Sequence, residues 1–272
     1  MAGVTVASVA TLLESWIPLD LSESWDNTGL LLGDRRGSVA SVMTCLTLTA
    51  TTVSEAIEKR ADLVISHHPL PFKPLAKITT DTQTGDLLWQ LARAGVSVYS
   101  PHTAWDSSRD GINEQLALKL QLEDVQPLIP AVPKGATSSS VPEAPRGAGR
   151  MGRLASPIDI HELARRTSSV VPYCRPRGVP AARPIRKIAI GCGSGGSFLS
   201  AAVAKGCDAL LTGEATFHDC LAAEYAGTGL LMIGHFASER FAMEVLADRL
   251  HAALPDLTIW AAAKEADPVV TL

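Results

Sequence analysis

The chain has 272 residues, 46% of them hydrophobic and 19% charged, with a formal net charge of −4. That length holds one large domain or two modest ones, and the composition is that of a globular protein with a buried core. The mildly acidic balance argues against a dedicated nucleic-acid binder, and no apolar run is long enough to span a bilayer, so neither nucleic acid nor membrane is an expected partner.

In chain order, Val6 to Trp16 carries apolar residues at helical spacing and is expected to be an amphipathic helix ending before Pro18. The opening MAGVTVASVATLLESW has no basic segment ahead of a continuous apolar one, so no signal peptide is expected. WDNTGLLLGD reads as a turn into a short strand, SVMTCLTLT as a strand, and TTVSEAIEKRA as a helix with a hydroxyl start. DLVIS is a strand, followed by a proline-rich loop, a helix near Gly85 to Ala94, the strand VSVYS and the helix GINEQLALKL. Residues 130–150, PAVPKGATSSSVPEAPRGAGR, cannot bury much and read as a linker. After a helix around His161 to Arg166 and an Arg/Pro-rich stretch, alternation resumes through KIAIG, DALLTG, LLMIG and a long helix from about Ser238 to Leu254. Strands alternating with helices predict an α/β protein of two similar layered halves, over 1–129 and 151–272, each with a mostly parallel sheet.

The five cysteines, Cys45, Cys174, Cys192, Cys207 and Cys220, form no C-x-x-C pair and no disulfide framework. A reducing, cytoplasmic setting is expected.

Five of the seven histidines fall just past an expected strand end. DLVIS is followed by His67 and His68, VSVYS by His102 and then Asp106, DALLTG by Glu214 and His218, and LLMIG by His235 and Glu239. Open α/β sheets bind ligands at the carboxyl ends of their strands. Imidazole together with carboxylate suits Zn, Fe, Mn or Co better than Mg or Ca. Successive residues of an extended chain point to opposite sides, and Pro69 biases His68 towards an extended backbone. The two imidazoles are therefore expected to diverge and to serve two different ions. Glu239 lies one helical turn after His235, where a carboxylate can bridge two metals.

The segments SHHPLPF, YSPHTAWD, LLTGEATFHD and GHFASER, with WDNTGLLLGD upstream, resemble the NIF-three-like family, whose members are often labelled GTP cyclohydrolase 1 type 2 homologs. The resemblance runs from near Leu12 to near Val270, interrupted by the linker. It implies that His67, His68, Asp106, His235 and Glu239 hold two divalent transition-metal ions in a cleft between the halves. His102 is then a nearby further ligand or an acid/base group, with His102 or Glu214 as proton shuttle. The larger members carry an inserted middle domain, so this chain reads as the short form. The resemblance also implies a ring-shaped homohexamer.

GCGSGG, with Gly191, Gly193 and Gly196, matches the dinucleotide-binding spacing but comes late in the chain, with no ribose-binding acid at a following strand end. A cradle for a substrate phosphate is the better use of it. The arginines at 175, 177, 183 and 186, with Lys187, read as solvated surface or a phosphate contact.

The expected activity is metal-dependent hydrolysis of a small-molecule substrate, a nucleotide, phosphoester or cyclic amide such as a purine ring. The alternative is a non-catalytic metal-binding regulatory or scaffold protein that acts through protein interactions.

Overall fold

Thr5 with Ser8, and Thr49 with Thr52, each close a capping box, which is why the helices Val6–Trp16 and Ala50–Glu58 begin where hydroxyl residues precede an apolar period. A computed structural model describes residues 3–131 and 146–270. Most of the linker expected over 130–150 lies outside these described residues. Its edges are strand, since Pro130 ends one and Gly147 begins another.

The strands, in chain order, are β1 (Gly29–Leu32), β2 (Ser41–Cys45), β3 (Leu63–Ser66), β4 (Ser97–Ser100), β5 (Glu123–Pro130), β6 (Gly147–Ile158), β7 (Arg177–Val179), β8 (Ile185–Gly191), β9 (Ala209–Thr212), β10 (Gly229–Met232) and β11 (Thr258–Ala261). They form two sheets, so the fold is mixed α/β, as the alternation predicts.

The chain divides into two compact units, Met1–Trp105 with Ala242–Leu272, and Asp106–Phe241. The first holds the sheet β1-β4-β3-β2-β11. Its last four strands are parallel and β1 runs antiparallel on β4. Its core gathers Met43, Val64 and Val98 from the strands with Val53, Leu87 and Leu91 from helices. The second unit holds the sheet β5-β6-β8-β9-β10-β7, parallel only through β8-β9-β10. Its core includes Leu128, Met151, Ala189, Leu210 and Leu230, with Leu199 and Ala202 from a helix.

This division differs from the halves expected at 1–129 and 151–272, because the C-terminal segment returns to the first sheet. β11 pairs with β2 in parallel register, Thr258 opposite Ser41. Thr44 Oγ1 donates to the Met243 carbonyl, and the Arg249 guanidinium sits 4.3 Å from the Trp16 ring. Glu55, buried in the helix Ala50–Glu58, accepts from the backbone N–H groups of Ala263 and Lys264. Glu265 accepts from those of Leu46 and Thr47. The single helix expected over Ser238–Leu254 is two helices, His235–Arg240 and Ala242–Ala253.

Four strands are not evident in the sequence. β5 carries Pro127 and Pro130 and lies at a sheet edge, where a missing N–H is tolerated. β6 is broken by glycines and β7 is three residues long. β11 follows a helix and needs β2 to be recognised. In β6, Arg150 is completely buried. Its Nε donates to Glu114 at 2.9 Å, Nη1 to the Gly147 and Gly149 carbonyls at 2.8 Å, and Nη2 to the Ser108 carbonyl.

Candidate metal-binding groups

β3 ends at Ser66, and the next two residues bring their imidazoles together. His67 N–H donates to the Cys45 carbonyl and His68 N–H to the Leu46 carbonyl. A regular strand aims successive N–H groups at opposite neighbours. Here both bond the same side, and Ser66 Oγ donates forward to the His68 carbonyl. Alternation is thereby broken, and the expectation that the two rings diverge is not met. The ring centroids lie 5.1 Å apart.

His102 follows β4 and opens the short helix His102–Ser107 at a left-handed φ of 29°. Such a backbone is uncommon for a residue with a Cβ and needs the surroundings to hold it. His102 lies 5.1 Å from His67 and 5.6 Å from His68, centroid to centroid. One ring nitrogen from each of the three fits within a 4.8 Å cluster. Ser100 Oγ ties down the His67 carbonyl, Trp105 packs edge-on against the His67 ring, and Thr47 Oγ1 lies 2.7 Å from His68 Nδ1.

Asp26, which the sequence offers as a turn residue within a segment that carries the family resemblance, is the partner that orients His102. Its Oδ1 lies 2.7 Å from His102 Nδ1, and its Oδ2 accepts from the backbone N–H and hydroxyl of Thr103. Burial opposes the charged carboxylate, but the bonds from His102 and Thr103 outweigh it and hold its pKa below the usual value. With Nδ1 engaged by a carboxylate, Nε2 is the nitrogen left to ligate, as in many metal-binding histidines. This carboxylate comes from WDNTG, one of the segments that carry the family resemblance.

In the second unit, Gly234 precedes the helix His235–Arg240, and Glu239 sits one turn after His235. His235 Nε2 lies 3.1 Å from Glu239 Oε2, and Nδ1 lies 2.9 Å from Glu214 Oε1. Glu214, which follows β9, also accepts from Ser194 Oγ. Burial disfavours the His235 imidazolium, yet the two carboxylates overcome it and raise its pKa to about 9. The Cys192 thiol is pushed well up by burial and by the carboxylates of Glu239 and Asp106. Asp106 also accepts, through its carbonyl, from Asn113 Nδ2.

GCGSGG serves the site differently from the phosphate cradle considered for it. Cys192 N–H donates to Asn113 Oδ1, Gly193 N–H to Ser238 Oγ and Gly195 N–H to Thr212 Oγ1. Those donors are already committed within the protein. Gly193, at φ 64°, has a further reason to lack a side chain: a Cβ there would sit 2.2 Å from Glu239 Oε1. Of the basic segment, Arg183 pairs with Asp208. His218 is exposed on the helix Phe217–Ala226.

The donor chemistry fits a metal. Three imidazoles in one group, and an imidazole–carboxylate pair in the other, suit a divalent transition ion better than the all-oxygen preference of Mg or Ca. The described residues thus include His and Glu groups able to hold a metal ion.

Residues 4–268 match the family described as Duf34/NIF3 (NGG1p interacting factor 3). A Clostridium acetobutylicum protein named GTP cyclohydrolase 1 type 2 homolog is 31% identical over 262 residues, covering 94% of this chain and 93% of its own. A Schizosaccharomyces pombe protein named Protein NIF3 homolog is 32% identical over 276 residues, covering 96% of each. Among solved structures, Staphylococcus aureus protein SA1388 is 26% identical with a TM-score of 0.85, covering 99% of each chain. The length fits a short form without an inserted domain. The chain belongs to the Duf34/NIF3 family.

Proposed function

We propose that the protein is a metal-dependent hydrolase that binds two divalent transition-metal ions (Zn, Fe, Mn or Co) through His67, His68, Asp106, His235 and Glu239. The observation that carries this reading is the clustering of His67, His68 and His102, with the Asp26 carboxylate behind His102. When bound, such ions polarise a carbonyl or phosphoryl oxygen and bring the pKa of water towards neutrality. The chain's own groups then position and move protons. Asp26 fixes the His102 ring, leaving Nε2 to ligate or to exchange a proton with substrate. Glu214 orients His235 through Nδ1 and is exposed enough to pass a proton to solvent. The substrate is a small molecule with a hydrolysable phosphoester, cyclic amide or purine ring. The name of the Clostridium acetobutylicum relative supports the last of these. The five cysteines, whose spacing forms no disulfide framework, suit a reducing cytoplasmic setting, and a homohexamer is the assembly proposed from the resemblance.

The test is a hydrolysis screen over nucleotides and phosphoesters with metal-loaded protein, chelated protein and His68→Ala. Turnover that follows metal content supports the reading. Metal content that follows His68 while no substrate responds in any state removes the hydrolase. A second reading, a non-catalytic metal protein acting through protein contacts, draws on one observation. Phe217, Leu221 and Tyr225 are exposed at 73%, 46% and 97% along one helix, Phe217–Ala226, at one-turn spacing.

A further inference from the structure

Two large aromatic side chains stand beside the three-histidine group and are left largely in water. Trp25 is 58% exposed and Phe72 is 47% exposed. Their ring centroids are 5.8 Å apart at an interplanar angle of 43°. Both turn an edge-to-face contact on His102, Trp25 at 6.0 Å and 77° and Phe72 at 6.1 Å and 76°. Their ring faces are therefore not used up on each other in a parallel stack.

The pair is held in place from below. Asp26 N–H donates to the Glu23 carbonyl, and Glu23 N–H donates to Thr103 Oγ1. Ser22 and Thr28 hydroxyls meet at 2.9 Å across the same turn. Asn27 Nδ2 donates to the Pro71 carbonyl, which ties the Trp25 turn to the segment carrying Phe72. Asp26 then locks the turn to His102. Two exposed aromatics on a hydrogen-bonded frame lose little conformational entropy when they take a ligand, whereas exposed aromatics on free loops would lose more.

The geometry points to a stacking subsite in which Trp25 and Phe72 receive a planar heteroaromatic ring of the nucleobase type, placing that ring beside His102. This rests on the reading of the histidine group as the reaction centre and names the part of the substrate held there. The faces of Trp25 and Phe72 supply sequence-tolerant π contact, and His102 supplies a polar edge where ring nitrogens and carbonyls can be met. A substrate with no ring would leave both aromatics in water.

The test measures calorimetric binding of guanosine and of ribose 5-phosphate to the full chain, metal-free and zinc-loaded. The variants are Trp25→Leu, Phe72→Leu, Trp25→Phe and His68→Ala. Guanosine is expected to bind wild type and to weaken about 10-fold in each Leu variant, with Trp25→Phe close to wild type. Ribose 5-phosphate is expected to be indifferent to the aromatic substitutions, and zinc content to be unchanged by them. His68→Ala is expected to lower zinc content while still binding guanosine. Equal guanosine affinity in wild type and both Leu variants overturns the subsite, as does no binding to wild type. A change of oligomeric mass in the Leu variants with unchanged guanosine affinity also overturns it, making the pair a contact between copies. Guanosine binding without any hydrolysis in the screen above defeats the hydrolase reading and leaves the subsite standing. Hydrolysis that ignores Trp25 and Phe72 does the reverse.

Discussion

Asp26 Oδ1 lies 2.7 Å from His102 Nδ1, across 76 residues of sequence, and the Asp26 side chain is wholly buried. That bond sets which nitrogen of His102 faces outward, and it anchors the first turn of His102–Ser107 through Thr103. Asp26→Asn keeps the shape and removes the charge. Carboxylates that support a ligating histidine typically contribute 10–100-fold to metal affinity. We expect Asp26→Asn to weaken metal binding by about 10-fold or more on titration, with a far-ultraviolet circular dichroism spectrum like wild type.

Gly193 lies against Glu239 with no room for a Cβ, at 2.2 Å from Oε1. Gly193→Ala must displace the Glu239 carboxylate from its present position and also places a Cβ at φ 64°. The backbone strain alone costs about 1–2 kcal/mol. Metal binding is expected to fall far more than stability does, seen as a chelator-like loss of bound metal with a Tm only a few degrees lower. A Gly193→Ala protein that binds metal like wild type would show that Glu239 is not a ligand.

Glu55 binds the C-terminal segment to the first unit. Burial raises its pKa, but the Lys59 ammonium and the N–H groups of Ala263 and Lys264 prevail and lower it to about 2. A carboxyl depressed on folding stabilises above its unfolded pKa and loses that contribution as pH falls through the folded value. The window is therefore about pH 4.5 down to about 2. Glu55→Gln is expected to cost about 1–3 kcal/mol at neutral pH by urea denaturation. The same variant should show a shallower fall in stability between those pH values than wild type does.

Arg150 is the buried cation that closes the β5–β6 end of the second sheet, through three carbonyls and Glu114. Removing one partner of a buried, hydrogen-bonded pair typically costs about 3–5 kcal/mol. Arg150→Leu is expected to lose an amount of that order in chemical denaturation. Arg150→Lys should recover little, since one ammonium cannot serve four acceptors in a planar array.

Much of this protein is legible along the chain because its elements are locally specified. Leu63–Ser66, Ser97–Ser100, Ala209–Thr212 and Gly229–Met232 are short apolar runs buried along nearly their whole length, with helix patterns between them, so periodicity alone marks them as strands of α/β units. The histidines and carboxylates at their ends are legible for the same reason: the end of an apolar run is visible in one dimension. Glu123–Pro130 and Gly147–Ile158, which periodicity does not mark, are antiparallel additions carrying prolines and glycines. Their conformation is imposed by the neighbour they pair with.

The sequence by itself determined the α/β class, the strand ends that carry His67, His68, His102, Glu214 and His235, and through its motifs the family. Tertiary structure alone decided three further matters. The chain's last helix and strand belong with its first unit, because β11 finds its hydrogen-bonding partner in β2, 217 residues earlier. His67 and His68 converge, because two successive N–H groups bond the same neighbouring strand and cancel the alternation that sequence spacing assumes. Asp26 works on His102, because a carboxylate and an imidazole far apart in the chain meet only when the Asp26 turn is folded against the end of β4. Periodicity reports which face a residue takes on its own element, and these three facts depend on where other elements supply the hydrogen-bond partners.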